Sequence, residues 1–118
     1  MCSEGRKDRK KKEEIEMAVI TVNKDNFESE VIKSEKKVLA DFNAAWCGPC
    51  RMLGPIIDEM ANENDSVKFV AINIDENPEL AAQYGVASIP CLVLFDGGNE
   101  VKRSVGLIPK DEIESLIG

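Results

Sequence analysis

The sequence contains no histidine, and this absence excludes several kinds of site at once. Catalytic pairs in which an imidazole activates a cysteine or serine cannot form, and neither can zinc sites with imidazole ligands. Cysteine is scarce too, since the chain has only Cys2, Cys47, Cys50 and Cys91. A four-thiolate metal site needs two closely spaced pairs and only one is present, so we predict no metal site. So few cysteines also argue against a disulfide-held scaffold.

Long apolar runs and an excess of positive charge are also missing. No stretch approaches the roughly eighteen apolar residues of a membrane span, and the N-terminus carries no apolar signal segment. We therefore expect a cytoplasmic protein with no membrane partner. The formal net charge is −7, with 15 Lys and Arg residues against 22 Asp and Glu residues. Because such a charge repels phosphate groups, nucleic acid is not expected as a partner.

The 118 residues are enough for one small domain, and their charge divides the chain into a leader and a body. Residues 1–16 hold six basic and five acidic residues and no apolar pattern, which predicts a disordered leader. Its basic run has two interpretations, a solubilising tail or a tether to an anionic surface. Residues 17–118 carry a net charge of −8 and are predicted to form the folded domain.

The body alternates predicted strands and helices before it ends in a hairpin and a helix. Strands are predicted for "AVITV", "KVLADFNA" and "VKFVAINID", and "CLVLF" and "EVKRSV" flank "DGGN" as a hairpin. Helices are predicted for "NKDNFESEVIKS", "NPELAAQYG" and "PKDEIESLIG", with a longer one that begins near Cys47. The inward face of that longer helix is predicted to carry Met52, Leu53, Ile56, Ile57 and Met60. This order predicts an α/β domain whose central mixed sheet has helices on both faces.

The segment "WCGPC", residues 46–50, lies where a buried strand meets the longer helix. Two cysteines at this spacing form a metal clip, a structural disulfide or a reaction centre. A helix start favours the thiolate form of Cys47, and the spacing brings Cys50 within disulfide reach, which is typical of a reaction centre. Neither Gly48 nor Pro49 offers a polar side chain to stabilise that thiolate further, which favours a reductant over an oxidant.

Several features occur together in residues 17–118. They are "WCGPC" between strand and helix, "SIPCLVLF" about forty residues later, Asp41 in the preceding strand, Pro55 in the helix and Gly106 after the hairpin. In this combination the body resembles the thioredoxin family. It implies a thioredoxin fold of four or five strands and a cytosolic dithiol reductase. It also implies an exposed nucleophile at Cys47 and a resolving thiol at Cys50, joined as a redox-active disulfide when oxidised.

Further site residues follow from the same resemblance. Asp41 is expected to be the buried proton acceptor for Cys50, and its place in an apolar strand agrees with that role because burial raises the pKa of a carboxyl group. Pro90 is expected to be a cis-proline beside the thiols. The flat apolar surface that receives substrate is expected to consist of Trp46, Gly48, Pro49, Ile74, Ile89, Val105 and Gly106.

The resemblance implies no bound cofactor, since a thioredoxin reductase is expected to deliver electrons from NADPH through a flavin. Disulfide-containing proteins are the expected targets, and a monomer is expected. Two alternative functions keep the same fold. One is an interaction module that holds a partner protein with incidental thiols, and the other is a disulfide oxidase or isomerase.

Three positions depart from the family pattern. Asn43 stands where an aromatic residue is common, which alters the packing beside the site. Ala71 stands where some members have a lysine near the buried aspartate, which alters proton handling. Cys91 follows Pro90 where threonine is common, and we interpret it as a small core residue, with a regulatory thiol as the alternative.

Overall fold

The structure is a computed structural model that describes residues 18–118. The predicted leader, residues 1–16, lies outside the described residues. Within them the strands are β1 (Val19–Thr21), β2 (Lys37–Asn43), β3 (Val67–Asn73), β4 (Cys91–Asp96) and β5 (Asn99–Val105). The helices are α1 (Glu28–Ile32), α2 (Gly48–Glu63), α3 (Pro78–Gln83) and α4 (Lys110–Ile117). No helix of this part of the chain is both long and apolar enough to cross a bilayer.

The five strands form one mixed sheet in the order β1-β3-β2-β4-β5. β3 pairs in parallel with both β1 and β2, as strands joined through helical crossovers do. β4 runs antiparallel to β2 and to β5, and the predicted hairpin joins β4 to β5. Its turn residues Gly97 and Gly98 both have positive φ angles, 63° and 86°, which glycine adopts without strain. The predicted mixed sheet is thus confirmed.

Helices cover both faces of this sheet because successive strand residues point to opposite sides. One face is covered by α1 and α3, and its buried core includes Phe27, Val31, Leu80, Val38, Ala40, Phe42, Val70, Ile72, Val93 and Phe95. The other face is covered by α2 and α4, and its buried core includes Leu53, Ile57, Met60, Ile113, Ile117, Leu39, Val67, Phe69, Leu92 and Leu94. The long helix α2 is therefore anchored along its length and presents its N-terminus at a defined edge of the sheet.

Two local expectations differ from the structure. The first predicted helix is reduced to the five residues of α1, whose last turn closes with a bond from the Lys33 N–H to the Glu28 carbonyl at 2.9 Å, five residues apart. Phe27 and Val31 are nonetheless buried. Met52 was expected on the inward face of α2, and this is wrong, because 64% of its surface is exposed. Leu53 directly follows it and occupies the inward position, which turns Met52 toward solvent.

Candidate active site

Cys47 caps the N-terminus of α2. Its backbone is extended, with φ −89° and ψ 114°, and its Sγ accepts a hydrogen bond from the Cys50 N–H at 3.2 Å. The first N–H groups of a helix have no partner within the helix, and together with the helix dipole they favour a negative atom at this point. The sulfur of Cys47 therefore lies where a thiolate is stabilised. The same contact places the two cysteines of "WCGPC" side by side.

Cys47 is more enclosed than the resemblance implied. We expected an exposed Cys47, and this is wrong, since only 5% of the residue is accessible, the same fraction as for Cys50. Ala44, Ile74 and Ile89 pack against the pair. The physical reason is the capping geometry, which folds the Cys47 side chain back over the first turn, with its Sγ 4.0 Å from the Ile89 carbonyl oxygen. Both cysteines are free thiols, so the structure represents the reduced form.

Cys50 needs a base to react. Burial away from water, together with its hydrogen bond to Cys47, raises the pKa of the Cys50 thiol to about 12. A thiol with such a pKa is almost entirely protonated at neutral pH and is a poor nucleophile until its proton is removed. The two thiols therefore occupy different environments: Cys47 lies at the helix start, and Cys50 retains its proton.

Asp41 is the carboxylate that the fold buries beside Cys50. It lies in the middle of β2, only 5% of the residue is accessible, and within residues 18–118 its Oδ1 has no hydrogen-bond partner. Burial raises the pKa of Asp41 to about 7, with a further increase from the charge of Asp58, while the Asn43 amide acts in the opposite direction. A group with that pKa can both take up and release a proton at neutral pH.

Asp41 and Cys50 both line a cavity of about 240 Å³ between the sheet and α2. Its wall consists of Val19, Asp41, Asn43, Ala44, Ala45, Cys50, Arg51, Gly54, Ile57, Asp58 and Ala71. One liquid water occupies roughly 30 Å³, so a space of this size has room for several water molecules between the sheet and α2.

Pro90 is a cis-proline, as expected, and lies in the loop between α3 and β4. The carbonyl of Pro90 accepts a hydrogen bond from the Gly106 N–H at 2.8 Å, so the end of β5 holds the end of this loop. Ile89, the residue before it, contacts both cysteines. The cis-proline is therefore positioned next to the thiols, and Gly106 adopts the positive φ of 100° at the contact.

The seven residues expected to receive substrate differ in exposure, and two of them, Ile74 and Ile89, pack against the thiols. Trp46, Gly48, Pro49 and Val105 are exposed, while Ile74, Ile89 and Gly106 are half-buried. Trp46 is the most open of the large apolar residues, with 67% of its surface accessible, and its indole nitrogen donates to Asp75 Oδ2 at 2.8 Å. All seven residues retain accessible surface, and their role in receiving substrate stays a prediction.

The three departures from the family pattern have distinct structural consequences. Asn43 donates a hydrogen bond from Nδ2 to the backbone carbonyl of Asp41 at 2.9 Å, and it lines the cavity. Ala71 also lines the cavity and places no cation there. Cys91 is 1% accessible and belongs to the core on the α1 and α3 side of the sheet, among Phe42 and Phe95. Burial also raises the pKa of the Cys91 thiol. These contacts favour the interpretation of Cys91 as a core residue.

Three polar residues near the site were missed by sequence reasoning. Asp75 accepts the Trp46 hydrogen bond, and Arg103 bonds to the Tyr84 and Gly85 carbonyls ahead of the cis-proline loop. Asp58 lines the cavity beside Asp41. A signal for Asp58 was present in the sequence, because it stands eight residues after Cys50 with Gly54 midway, and positions four apart share one face of a helix.

Comparison with known proteins agrees with this geometry. The Thioredoxin family model matches residues 18–118. A thioredoxin of Alicyclobacillus acidocaldarius is 46% identical over 101 residues, which cover 85% of this chain and 95% of that protein. A thioredoxin of Porphyra purpurea is 46% identical over 102 residues, which cover 86% of this chain and 95% of that protein. Thioredoxin 1 of a Nostoc strain is 45% identical over 101 residues, covering 85% and 94%.

Proposed function

The chain belongs to the thioredoxin family and is a thiol-disulfide oxidoreductase that reduces protein disulfides, and from this premise we propose how its residues divide the reaction. Cys47 is the nucleophile. Its thiolate attacks one sulfur of a target disulfide, a bond forms between Cys47 and that sulfur, and the other target sulfur leaves as a thiolate. The capped position of its Sγ at the start of α2 supports this assignment.

Cys50 resolves the mixed disulfide in the second step. Asp41 takes the proton of the Cys50 thiol, and the resulting thiolate attacks the sulfur of Cys47. The Cys47–Cys50 disulfide forms, the bond from Cys47 to the target breaks, and the target is released as a second thiolate. Two electrons have then passed from the dithiol to the target. Because Cys50 is held within one helical turn of Cys47, its attack is intramolecular and outcompetes other thiols.

The apolar surface around Cys47 binds the target. Trp46, Gly48, Pro49 and Val105 offer exposed contact area, and Ile74, Ile89 and Gly106 form the half-buried part next to the thiols. Ile89, which precedes the cis-proline Pro90, packs against the pair. Such a surface accepts many extended segments because it presents few groups that demand a specific partner.

The family requires no bound cofactor, and its targets contain disulfides. We further propose that a thioredoxin reductase restores the dithiol with electrons from NADPH through a flavin, and that the protein works as a monomer in the cytoplasm. Residues 17–118 are proposed to be the complete catalytic domain, since the family match begins at residue 18. A chain that begins at Met17 should accordingly retain full reductase activity.

The observation that supports the division of roles best is the hydrogen bond from the Cys50 N–H to Cys47 Sγ. Its test is a pair of variants. Cys50→Ser should capture target proteins on Cys47 as stable mixed disulfides, because attack survives while resolution is lost, and Cys47→Ser should capture none. Adducts on Cys50 in the second variant would reverse the assignment.

The same variants separate a reductase from a holding module. Reduction of a disulfide test protein with dithiothreitol as electron donor should be accelerated by the native chain and by neither variant. If the double variant, Cys47→Ser with Cys50→Ser, still bound the same targets with unchanged affinity and the native chain reduced none, the chain would be an interaction module.

A further inference from the structure

The cavity beside Asp41 extends from the buried site to the surface of α2. Its inner wall includes Asp41 and Cys50, both 5% accessible. Its outer wall includes Arg51 and Asp58, both of which are exposed. The buried carboxyl group is therefore linked through one continuous space to a second carboxyl group that contacts solvent.

Small side chains keep this space open. Gly54 lies on α2 between Cys50 and Asp58, and a Cβ placed on it would meet no atom within 4 Å. On the strand side the wall includes the small side chain of Ala71 of β3. Asp41 is one of the residues that line this cavity, and its Oδ1 is buried without a hydrogen-bond partner within residues 18–118.

We propose that Asp58 is a positioning residue of the resolving step, which acts through Asp41 by holding a negative charge where the proton cavity opens to solvent. This inference rests on the proposed roles of Cys50 and Asp41. In each turnover the Cys50 proton passes to Asp41, and the thiolate that it leaves forms the Cys47–Cys50 disulfide. Asp41 then returns the proton through the cavity to solvent beside Asp58, so the carboxylate is regenerated before the next cycle.

The charge of Asp58 affects Asp41 because little else balances it. From α2, the titratable or charged side chains that face the cavity are Cys50, Arg51 and Asp58. The Arg51 guanidinium is held by a bond from Nη1 to the Ala45 carbonyl at 3.1 Å. The strands contribute uncharged neighbours, among them Val19 of β1, Ala71 of β3 and Leu92 of β4, which pairs with Asp41. The carboxylate of Asp58 raises the pKa of Asp41, in agreement with this arrangement.

The experiment replaces Asp58 with Asn in the full chain and follows Asp41 in the reduced protein. The carboxyl carbon of Asp41 is titrated by NMR, and the single-turnover rate with a disulfide test protein is measured across pH. With Asp58→Asn, the titration midpoint of Asp41 should shift to lower pH. On the acid side of the profile the rate should rise by roughly twofold, because more Asp41 is free to accept a proton. Asp58→Glu should restore the native midpoint.

Glu59→Gln is the matched control. It removes the same charge from the next residue of α2, but Glu59 pairs with Lys110 at 3.0 Å and does not line the cavity. Its titration midpoint and rate profile should match the native protein. An unchanged Asp41 titration in Asp58→Asn, or an equal shift in Glu59→Gln, would overturn the proposal.

A third measurement distinguishes failure of this inference from failure of the proposed function. Capture of targets by Cys50→Ser depends on Cys47 alone and is independent of Asp58. If Cys50→Ser captures targets normally and the titration midpoint of Asp41 does not shift in Asp58→Asn, only the proposed role of Asp58 is rejected. Loss of capture would instead contradict the division of roles between Cys47 and Cys50, on which the inference rests.

Discussion

The indole nitrogen of Trp46 donates a hydrogen bond to Asp75 Oδ2 at 2.8 Å, although most of the indole surface is in solvent. Trp46 immediately precedes Cys47, and Asp75 follows Ile74 just beyond the end of β3. The bond therefore ties the segment before α2 to the segment after β3, on either side of the thiols. An exposed aromatic ring that is fixed in this way offers contact area to a target without losing much conformational freedom on binding.

Asp75→Ala should weaken binding of protein targets without impairing the chemistry. The loss of a hydrogen bond to a charged group frees the Trp46 ring, and we expect KM for a protein disulfide to rise by roughly two- to fivefold. The value of kcat should change little, and so should the melting temperature, because both residues are exposed. Steady-state kinetics and indole fluorescence anisotropy measure these effects. Glu76→Ala, which removes the neighbouring exposed carboxylate, serves as the control, and an equal rise in its KM would assign the effect to charge alone.

Cys91 should react with alkylating reagents more slowly than Cys47 in the reduced protein. It is 1% accessible, is packed in the core beneath α1 and α3, and its pKa is raised by burial. A protonated thiol without solvent access is a poor nucleophile. Mass-spectrometric labelling with iodoacetamide over time measures the two rates. Cys91→Ala should leave reductase activity near the native value, whereas equal labelling of both cysteines would favour the regulatory alternative.

Arg103 should stabilise the loop that carries the cis-proline. Its guanidinium donates to the carbonyls of Tyr84 and Gly85 and pairs with Glu100, with Nε 2.7 Å from Oε2. Arg103→Met keeps the aliphatic part of the side chain and removes these bonds, so we expect a loss of roughly 1–3 kcal/mol in the free energy of unfolding. Denaturant unfolding measures it. Lys102→Met, an exposed neighbour on β5, should cost much less, and a similar loss there would show that the guanidinium contacts contribute little.

Much of this architecture could be predicted because it follows from local patterns. The apolar strands, the glycine-rich hairpin turn and the helix that starts beside Cys47 each depend on residues close in sequence. Burial of Asp41 was also predictable, since the residue interrupts an apolar strand. The predicted residues around the thiols came from the resemblance to a family, and of these Ile74 and Ile89 pack against the two cysteines.

The errors arose where long-range packing decides the outcome. The accessibility of Cys47 depends on Ile74 and Ile89, which come from two distant segments. Whether Met52 or Leu53 turns inward depends on how α2 is rotated against the sheet, and an apolar stripe five residues wide does not settle that rotation. Arg103 was missed because its partners lie 18 and 19 residues away and are backbone carbonyls, which leave no trace in the side-chain pattern.

The stability of the domain should depend on pH through Asp41. Its pKa is raised from 3.8 to about 7 by burial, so the folded protein holds a proton that the unfolded chain has already released. Below 3.8 both states are protonated and the group has no effect. As pH rises toward 7, the unfolded state ionises first, and the free energy of unfolding falls. Above about 7 both states are ionised, and the full cost of the buried charge, roughly 4 kcal/mol at most, is present.

Asp41→Asn tests this cost and the proton-acceptor role together. Above pH 7 the amide should raise the free energy of unfolding by up to that amount, and near pH 4 the variant and the native protein should converge, as measured by urea unfolding at each pH. The catalytic rate of the variant should fall, although its stability rises. The variant has lost the base for Cys50, so the resolving step should be slowest relative to the native protein near neutral pH. It should recover in alkaline solution, where hydroxide removes the Cys50 proton. A stability gain that is the same at every pH, or a rate defect that persists in alkali, would show that Asp41 is not the buried acid that accepts this proton.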